Sequence, residues 1–465
     1  MNNFLFSRAL GSISHQALAR AQTDRLVHSL HGVDHVKFTY KTHDDTPARQ
    51  NGPGDDDDDL KRKEVAHPAG VNSIVIDKFE GRYLLSGGAD SSIAIWDLES
   101  AEHGAGQVYR PLGYVEKEIK SHSYGITHLS YYPFDSLAFL SSSYDHSLRL
   151  YSSETLACSA SFDLASVVYY HALSPVASHL LVACATQHPA VRLVDLKSGA
   201  STHSLAGHGG AVMSVAWHPK SEHLLVSGGS DGAVRIWDIR RSASSLGVLN
   251  MDDSIGIVGM SNMGVDYRKR ERGKAHSALI NGVLWDEAGD HIVSNGHDDT
   301  VRVWDASTGA NTLVNFGPSL KNAHSSALLP LLTPSHLTGK GRELLVYPNP
   351  RELLTFELYT GKLLSRLRTP SYTASHTTVN AGSGSRNVQN RTTSLAWRAH
   401  DVELFSSHSD GTIRCWQPKT QEDELADDEA DGGHEDDHAI MERKRKRDEL
   451  DDLVAGLTKK KVTWT

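Results

Sequence analysis

The sequence predicts an all-β chain folded as a seven-bladed β-propeller, with a short N-terminal helix-loop-helix ahead of the ring and a disordered charged C-terminal tail after it. Three observations predict this. In four places a histidine is followed 28 or 29 residues later by an aromatic that ends a short apolar strand: His67 to Trp96, His122 to Tyr151, His208 to Trp237 and His276 to Trp304. Between each pair a serine stands four residues before an aspartate, which stands six before the aromatic: Ser86 and Asp90, Ser141 and Asp145, Ser227 and Asp231, Ser294 and Asp298. A fifth copy, Ser406, Asp410 and Trp416, keeps the spacing without the histidine. One such unit cannot bury its apolar faces alone, so the repeat implies a closed ring, and a closed ring is a surface for binding.

Residues 1–25 read as two short helices forming an arm. Phe4, Leu5 and Leu10 are apolar, Gly11 is a stop signal, Ser12 or Ser14 is a cap, and Gln16 to Gln22 is helix-favouring. The ring is expected over 26–418. Leu26 to Leu30, or the alternating Val36, Phe38 and Tyr40, would supply the outer strand of the last blade and close the circle. An insertion at 41–66, with Pro47, Pro53, five consecutive aspartates at 55–59 and Lys61-Arg62-Lys63, reads as disordered.

The first blade runs through VNSIVID, YLLSGGAD and SIAIWD, strands bounded by Gly or Asp turns. The second has Tyr151 at the tryptophan position. The third is degenerate, with Val194 at that place. The fourth, from His208 to Trp237-Asp238, is the most regular, and the fifth ends at Trp304-Asp305 after a long outer loop around 242–274. In the sixth, also degenerate, Phe356 takes the aromatic position because it precedes Gly361 by five, as Trp304 precedes Gly309. The seventh ends at Cys415-Trp416 after a Ser, Thr, Gly and Asn-rich insertion at 370–390, expected to be disordered. Residues 419–465 form an acidic, then basic tail.

Seven blades of about 40 to 45 residues use some 300 of the chain's 465 residues, leaving the rest for tails and insertions. The formal charge of −10 belongs to the tail, because residues 422–452 hold fifteen Asp and Glu against five Arg and Lys. The ring is near neutral, which argues against direct nucleic-acid binding through a broad basic footprint. Cys158, Cys184 and Cys415 are scattered in strand-like runs, as expected of reduced thiols rather than a disulfide framework or metal pair. No apolar run reaches the 18 or so residues that span a bilayer, and the start has no basic-then-apolar signal pattern.

Every full blade contains Ser, His and Asp, a trio that imitates hydrolase chemistry. A catalytic triad is one site with an oxyanion hole. Here the trio recurs at fixed spacing with an aromatic, as expected of a buried network that sets blade geometry. The string His434 to His438 (HEDDH) matches a zinc-protease pattern, but it follows Gly432-Gly433 in an acidic stretch with few apolar residues to hold a packed helix. No phosphate loop, dinucleotide turn or nucleophile elbow occurs, so neither a catalytic residue, a metal nor a cofactor is expected. The basic run Arg443, Lys444, Arg445, Lys446 and Arg447, with Lys459-Lys460-Lys461 beyond it, reads as a nuclear-localisation signal. Between the two, Leu450, Leu453, Val454 and Leu457 share one helical face.

The repeat is of WD40 type. Beyond it, FLFSRALG, EGRYLLSGGAD, SSSYDHSLRLY, HALSPVASHLLVACAT with VRLVDLKSG, WDIRR and GANTLVNFG resemble the Cockayne syndrome group A family over about residues 1–35 and 67–418. The resemblance implies the non-catalytic substrate receptor of a nuclear cullin-RING ubiquitin ligase acting in transcription-coupled nucleotide excision repair. It would bind the adaptor, damage-specific DNA-binding protein 1, and present the transcription-repair coupling factor and RNA polymerase II machinery. By position it assigns adaptor contacts to Phe4, Leu5 and Arg8 of the first helix, to Arg20 and Ala21 of the second, and to Arg240, the arginine of the family's WDxR box. Just past the fourth blade's third strand, Arg240 is expected at the ring's edge with its fork of donors free. A nuclear scaffold for chromatin or ribosome assembly, without a ligase, is the competing reading.

Overall fold

The computed structural model describes residues 10–12, 14–33, 35–40, 65–100, 102–103, 107–117, 121–176, 179–199, 201–241, 245–254, 273–338, 341–368, 377–381, 384–388, 390–398 and 400–419. Antiparallel sheets of successive short strands follow one another around a seven-bladed ring. Blade one is Val71–Ile76, Tyr83–Gly88, Ile93–Asp97 and Pro111–Val115; blade two is Ile126–Tyr131, Ala138–Ser143, Ser147–Ser152 and Cys158–Asp163. Blade three is Val168–Leu173, Leu181–Thr186, Ala190–Asp195 and Ser201–Ala206; blade four is Val212–Trp217, Leu224–Gly229, Val234–Asp238 and Ser245–Val248. Blade five has Ile280–Trp285, His291–Gly296 and Thr300–Asp305; blade six has Leu331–Leu332, Leu344–Pro348, Leu353–Glu357 and Leu363–Leu367. The second strand of a blade is covered on both faces by its neighbours, so runs such as Leu224–Gly229 are apolar or small at nearly every position rather than alternating.

Blade seven closes the circle. Its strands Thr392–Arg398, Glu403–His408 and Ile413–Pro418 take Leu30–Val33 as their outer strand, with Leu30 opposite Pro418 and Val33 opposite Cys415. The His31 ring bonds the Gln417 carbonyl at 2.9 Å. The expected strand at 26–30 is therefore shifted, because residues up to His28 are helical, and Val36–Phe38 is not the closing strand at all. It pairs in parallel with Gln107–Tyr109 in a separate small sheet. There Phe38 stacks on Tyr109 at 4.9 Å and meets Trp96 edge-on at 5.3 Å, filling the seam between blades one and seven.

Each regular hairpin turns on the repeat's aspartate. The residue after it is left-handed in all five copies: Ser91 (φ 76°), His146 (69°), Gly232 (76°), Asp299 (56°) and Gly411 (88°). In four of them the aspartate accepts the N–H two residues on, from Ser92, Ser147, Ala233 and Thr412, and this turn stabilises the strained backbone. At Gly232 a side chain would also strike the His276 carbonyl, a Cβ lying 2.5 Å from it.

Three expectations need correction. The arm's helix α1 spans His15–His28, capped by Ser14, whose Oγ accepts the Ala17 N–H at 3.2 Å; a boundary at residue 25 cuts through it. The insertion at 41–66 ends earlier, since Ala66 is fully buried in the ring. Within 370–390, Thr377–Ala381 and Gly384–Val388 pair as antiparallel strands instead of disordered chain, as the β-branched Thr377, Thr378 and Val379 allow. Blade five is also short of an outer strand among the described residues. The chain after Trp304 makes one bridge, to Asn311, and is then anchored by buried amides: Asn322 exchanges hydrogen bonds with Asn281 at 2.9 and 3.0 Å and donates to Asn295 at 3.2 Å.

Candidate interaction interface

The recurring Ser–His–Asp trio is sealed inside each blade. In blade four His208 Nδ1 lies 3.1 Å from Asp231 and its Nε2 lies 2.7 Å from Ser227 Oγ, which accepts the Trp237 indole N–H at 2.7 Å. An aspartate can only accept, so Nδ1 carries the proton, Nε2 takes the serine O–H, and the indole donates to the serine oxygen. Blade five repeats this with His276, Asp298, Ser294 and Trp304. In blade one Ser92 is interposed: His67 Nδ1 reaches Ser92 Oγ at 2.6 Å, which reaches Asp90 at 2.6 Å, while Ser86 joins His67 to Trp96. In blade two His122 bonds Asp145 and Ser141, but Tyr151 makes no hydrogen bond to Ser141. Ser86, Ser141, Ser227 and Ser294 are completely buried, so no substrate carbonyl can meet their hydroxyls.

Electrostatics agree with a structural role. Burial pulls the His67 imidazole down to about 4, against the opposing pull of Asp90, and lowers His122 and His276 in the same way. Burial alone would raise Asp231, yet hydrogen bonds from His208 and the Gly209 and Ala233 N–H groups hold it at about 2. The desolvated imidazoles of His67, His122 and His276, held below their ordinary range beside a carboxylate, serve as struts.

Blade seven, which lacks the turn histidine, supplies one from elsewhere. His408 Nε2 meets Ser406 Oγ at 3.0 Å, and Ser406 still accepts the Trp416 indole at 2.9 Å. Asp410 is bound by Asn390 and Thr412. Two residues after the serine, the other blades hold Gly88, Ser143, Gly229 and Gly296; at Gly229 a Cβ would lie 2.5 Å from the His208 ring. His408 therefore fills the volume that the turn histidine takes elsewhere. Blades three and six drop the network wholesale. Cys184 and Val194 stand at the serine and aromatic places of blade three, Tyr347 and Phe356 at those of blade six, all buried. In blade three the buried cysteine and valine leave no strong donor without a partner, and in blade six the Tyr347 hydroxyl donates instead to Asn295 Oδ1 at 3.3 Å and the Lys321 carbonyl at 3.4 Å.

With the interior accounted for, function falls to the surface. Arg240 is exposed (64 %), but its fork is not free as the sequence suggested: Nε and one terminal nitrogen clasp the two Asp238 oxygens at 3.0 and 2.8 Å. That bond holds the Asp238 carboxyl at about 2 and orients the guanidinium at the end of the blade where third strands pass to fourth. In α1, Val27 is buried (3 %) against Leu404 and Trp416, whereas Ala17, Ala21 and Arg25 are exposed. Val27 anchors the last turn of the helix, and Ala17 and Ala21 ahead of it face solvent. Arg20 lies in α1, with its side chain outside the described residues. Phe4, Leu5 and Arg8 also fall outside them, as do HEDDH, the 450–457 face and Arg443 to Arg447. Among the described residues no helix is long and apolar enough to cross a membrane, and Cys158, Cys184 and Cys415 are free thiols.

The family model "WD domain, G-beta repeat" matches residues 60–97, 113–152, 199–238 and 269–305, the blades with the fullest networks and blade two. The chain is 30% identical to the "WD repeat-containing protein ATCSA-1" of Arabidopsis thaliana over 424 residues, covering 78% of this chain and 89% of that protein. It is also 29% identical over 272 residues to the "Ribosome biogenesis protein ytm1" of Aspergillus niger and 28% identical to that of Aspergillus clavatus. Those two matches cover 51% of this chain and only about half of each fungal protein. WD40 propellers are typically non-catalytic scaffolds or receptors, and none of these names is that of an enzyme.

Proposed function

We propose, from the premise that this chain belongs to the WD-repeat family of Arabidopsis thaliana ATCSA-1, that it is the substrate-recognition subunit of a nuclear cullin-RING ubiquitin ligase acting in transcription-coupled nucleotide excision repair. The observation that carries the reading is extent. The similarity runs through 89% of that relative, whereas the match to the fungal protein covers 52% of its length. The segments that resemble the Cockayne syndrome group A family include non-repeat strings such as NTLVNFG and SPVASHLLVA.

In this reading the chain performs no bond chemistry; its partners transfer ubiquitin. Phe4, Leu5 and Arg8, with Arg20 and Ala21 on α1, enter an apolar groove of damage-specific DNA-binding protein 1 as spaced helical anchors. Arg240, oriented by Asp238, adds a directional contact at the rim. The ring then holds the transcription-repair coupling factor or RNA polymerase II machinery within reach of the ligase, and Arg443 to Arg447 direct the protein to the nucleus.

A second reading, a ribosome-assembly scaffold, is favoured by the similarity to the ytm1 proteins. Affinity purification from nuclei of wild type beside Phe4→Asp separates the two. Co-purification of the adaptor that is lost in Phe4→Asp supports the receptor. Ribosomal precursor particles retained equally by both proteins support the scaffold.

A further inference from the structure

In each blade the loop joining the first to the second strand leaves at one end of the ring, the end where the third-to-fourth loop of blade four carries Arg240. On blades one and two that end is apolar. Phe79 (52 % exposed), Phe134 (47 %) and Leu137 (69 %) stand on the two first-to-second loops, and Leu112 (60 %) opens the outer strand of blade one. Soluble proteins rarely leave large apolar side chains together without a partner. Between Leu112 and Leu137 runs a groove of about 410 Å³ whose floor includes Tyr83, Ile95, Tyr131 and Leu156.

The groove is built in advance of any ligand. Ser136 Oγ donates to Asp77 at 2.9 Å and ties one loop to the other, and Asp135 accepts the Leu137 N–H at 3.1 Å, fixing the loop that presents Leu137. Leu156 packs so closely on Gly113 that a Cβ there would lie 2.5 Å from its methyl group.

Its rim is acidic. Glu80 and Glu154 line the groove, both exposed and neither in an ion pair among the described residues, and Asp135 stands beside Leu137. Arg82, on the blade-one side of the groove, is committed elsewhere: it clasps Asp97 at 2.6 and 2.9 Å and reaches Glu99 at 3.4 Å. A carboxylate rim repels nucleic acid and anionic lipid, and attracts lysine and arginine.

We infer that this groove docks a segment of a partner protein carrying large apolar anchors flanked by lysine or arginine. Leu112 and Leu137 receive the anchors, while Glu80 and Glu154 steer and orient the basic flank. The site is separate from α1 and Arg240, and holds whether the ring is a ligase receptor or a scaffold.

The test is selection of a random 12-residue peptide library on the full-length protein, followed by fluorescence anisotropy of the best labelled peptide. Selected peptides are expected to combine at least two large apolar residues with net positive charge, and to bind Leu137→Asp and the double variant Glu80→Lys, Glu154→Lys at least tenfold more weakly. All of these positions are solvent-exposed, so thermal unfolding and adaptor binding should match wild type, which keeps this result distinct from the ligase reading. Peptides without a basic bias, or affinity unchanged in both variants, would overturn the proposal. So would concentration-dependent dimerisation abolished by Leu137→Asp, since a second copy would then be the occupant.

Discussion

Replacing the buried serine of one blade tests whether the repeated trio holds the ring together. Ser227→Ala deletes a hydroxyl that serves two partners, His208 Nε2 at 2.7 Å and Trp237 Nε1 at 2.7 Å, in a site closed to water. Each buried group left without a partner costs about 1–3 kcal/mol, so the substitution should destabilise the protein by about 2–6 kcal/mol. Ser141→Ala removes the same hydroxyl in blade two, where only His122 Nε2, at 2.6 Å, depends on it because Tyr151 has replaced the tryptophan. Its cost should be about 1–3 kcal/mol, half that of the first. Equilibrium urea unfolding, followed by tryptophan fluorescence at unchanged slope, measures both as midpoint shifts. Equal losses, or a larger loss for Ser141→Ala, would refute the bond-by-bond account of the blades.

Three further outcomes follow from the same geometry. Burial holds His67 at about 4, His171 at about 3 and His408 at about 3, below the ordinary 6.5 of the unfolded chain. Between those values the unfolded state binds the protons, so this stability is complete above pH 6.5 and falls on acidification by about 1.4 kcal/mol per pH unit per histidine until the folded value is passed. A urea midpoint unchanged between pH 7.5 and pH 5 would contradict it. Gly229→Ala forces a Cβ to within 2.5 Å of His208 and 2.6 Å of Asp231 and should cost about 1–3 kcal/mol, whereas Gly247→Ala, with nothing within 4 Å, should be nearly neutral in the same assay. Arg240→Ala should weaken adaptor binding in a pull-down while leaving the circular dichroism spectrum unchanged, and a wild-type yield of adaptor would remove Arg240 from the interface.

What could be read in the residues was whatever every blade must repeat. The spacing of His208, Ser227, Asp231 and Trp237 is set by hydrogen bonds that such a blade makes, so it located five blades directly; a different mark, the five-residue step from aromatic to turn glycine, placed Phe356 in the sixth, and Val194 stands at the aromatic place of the third. Features made once were hidden. His408 supplies its ring from a position that is glycine in three other blades, and a histidine there was the available clue. The amides of Asn281, Asn295 and Asn322 meet across stretches with no periodicity. Leu30–Val33 contains His and Gly, poor strand formers, and is a strand because Ile413–Pro418 offers a free edge, a case of tertiary pairing overriding propensity. The gap in blade five did have a signal in Gly309, Asn311, Asn315, Gly317 and Pro318, turn residues where a fourth strand would run. For Arg240 the position was legible but the partner was not, because Asp238 is claimed only once the strand ends beside it.

The most direct test of the central claim is titration of the purified full-length chain with purified damage-specific DNA-binding protein 1 in a calorimeter, wild type beside the double variant Phe4→Asp, Arg240→Ala. A receptor built as described here binds at one to one, and the double variant binds at least a hundredfold more weakly with the same unfolding midpoint. No heat of binding from the wild-type chain, or equal affinity from both, would contradict the account.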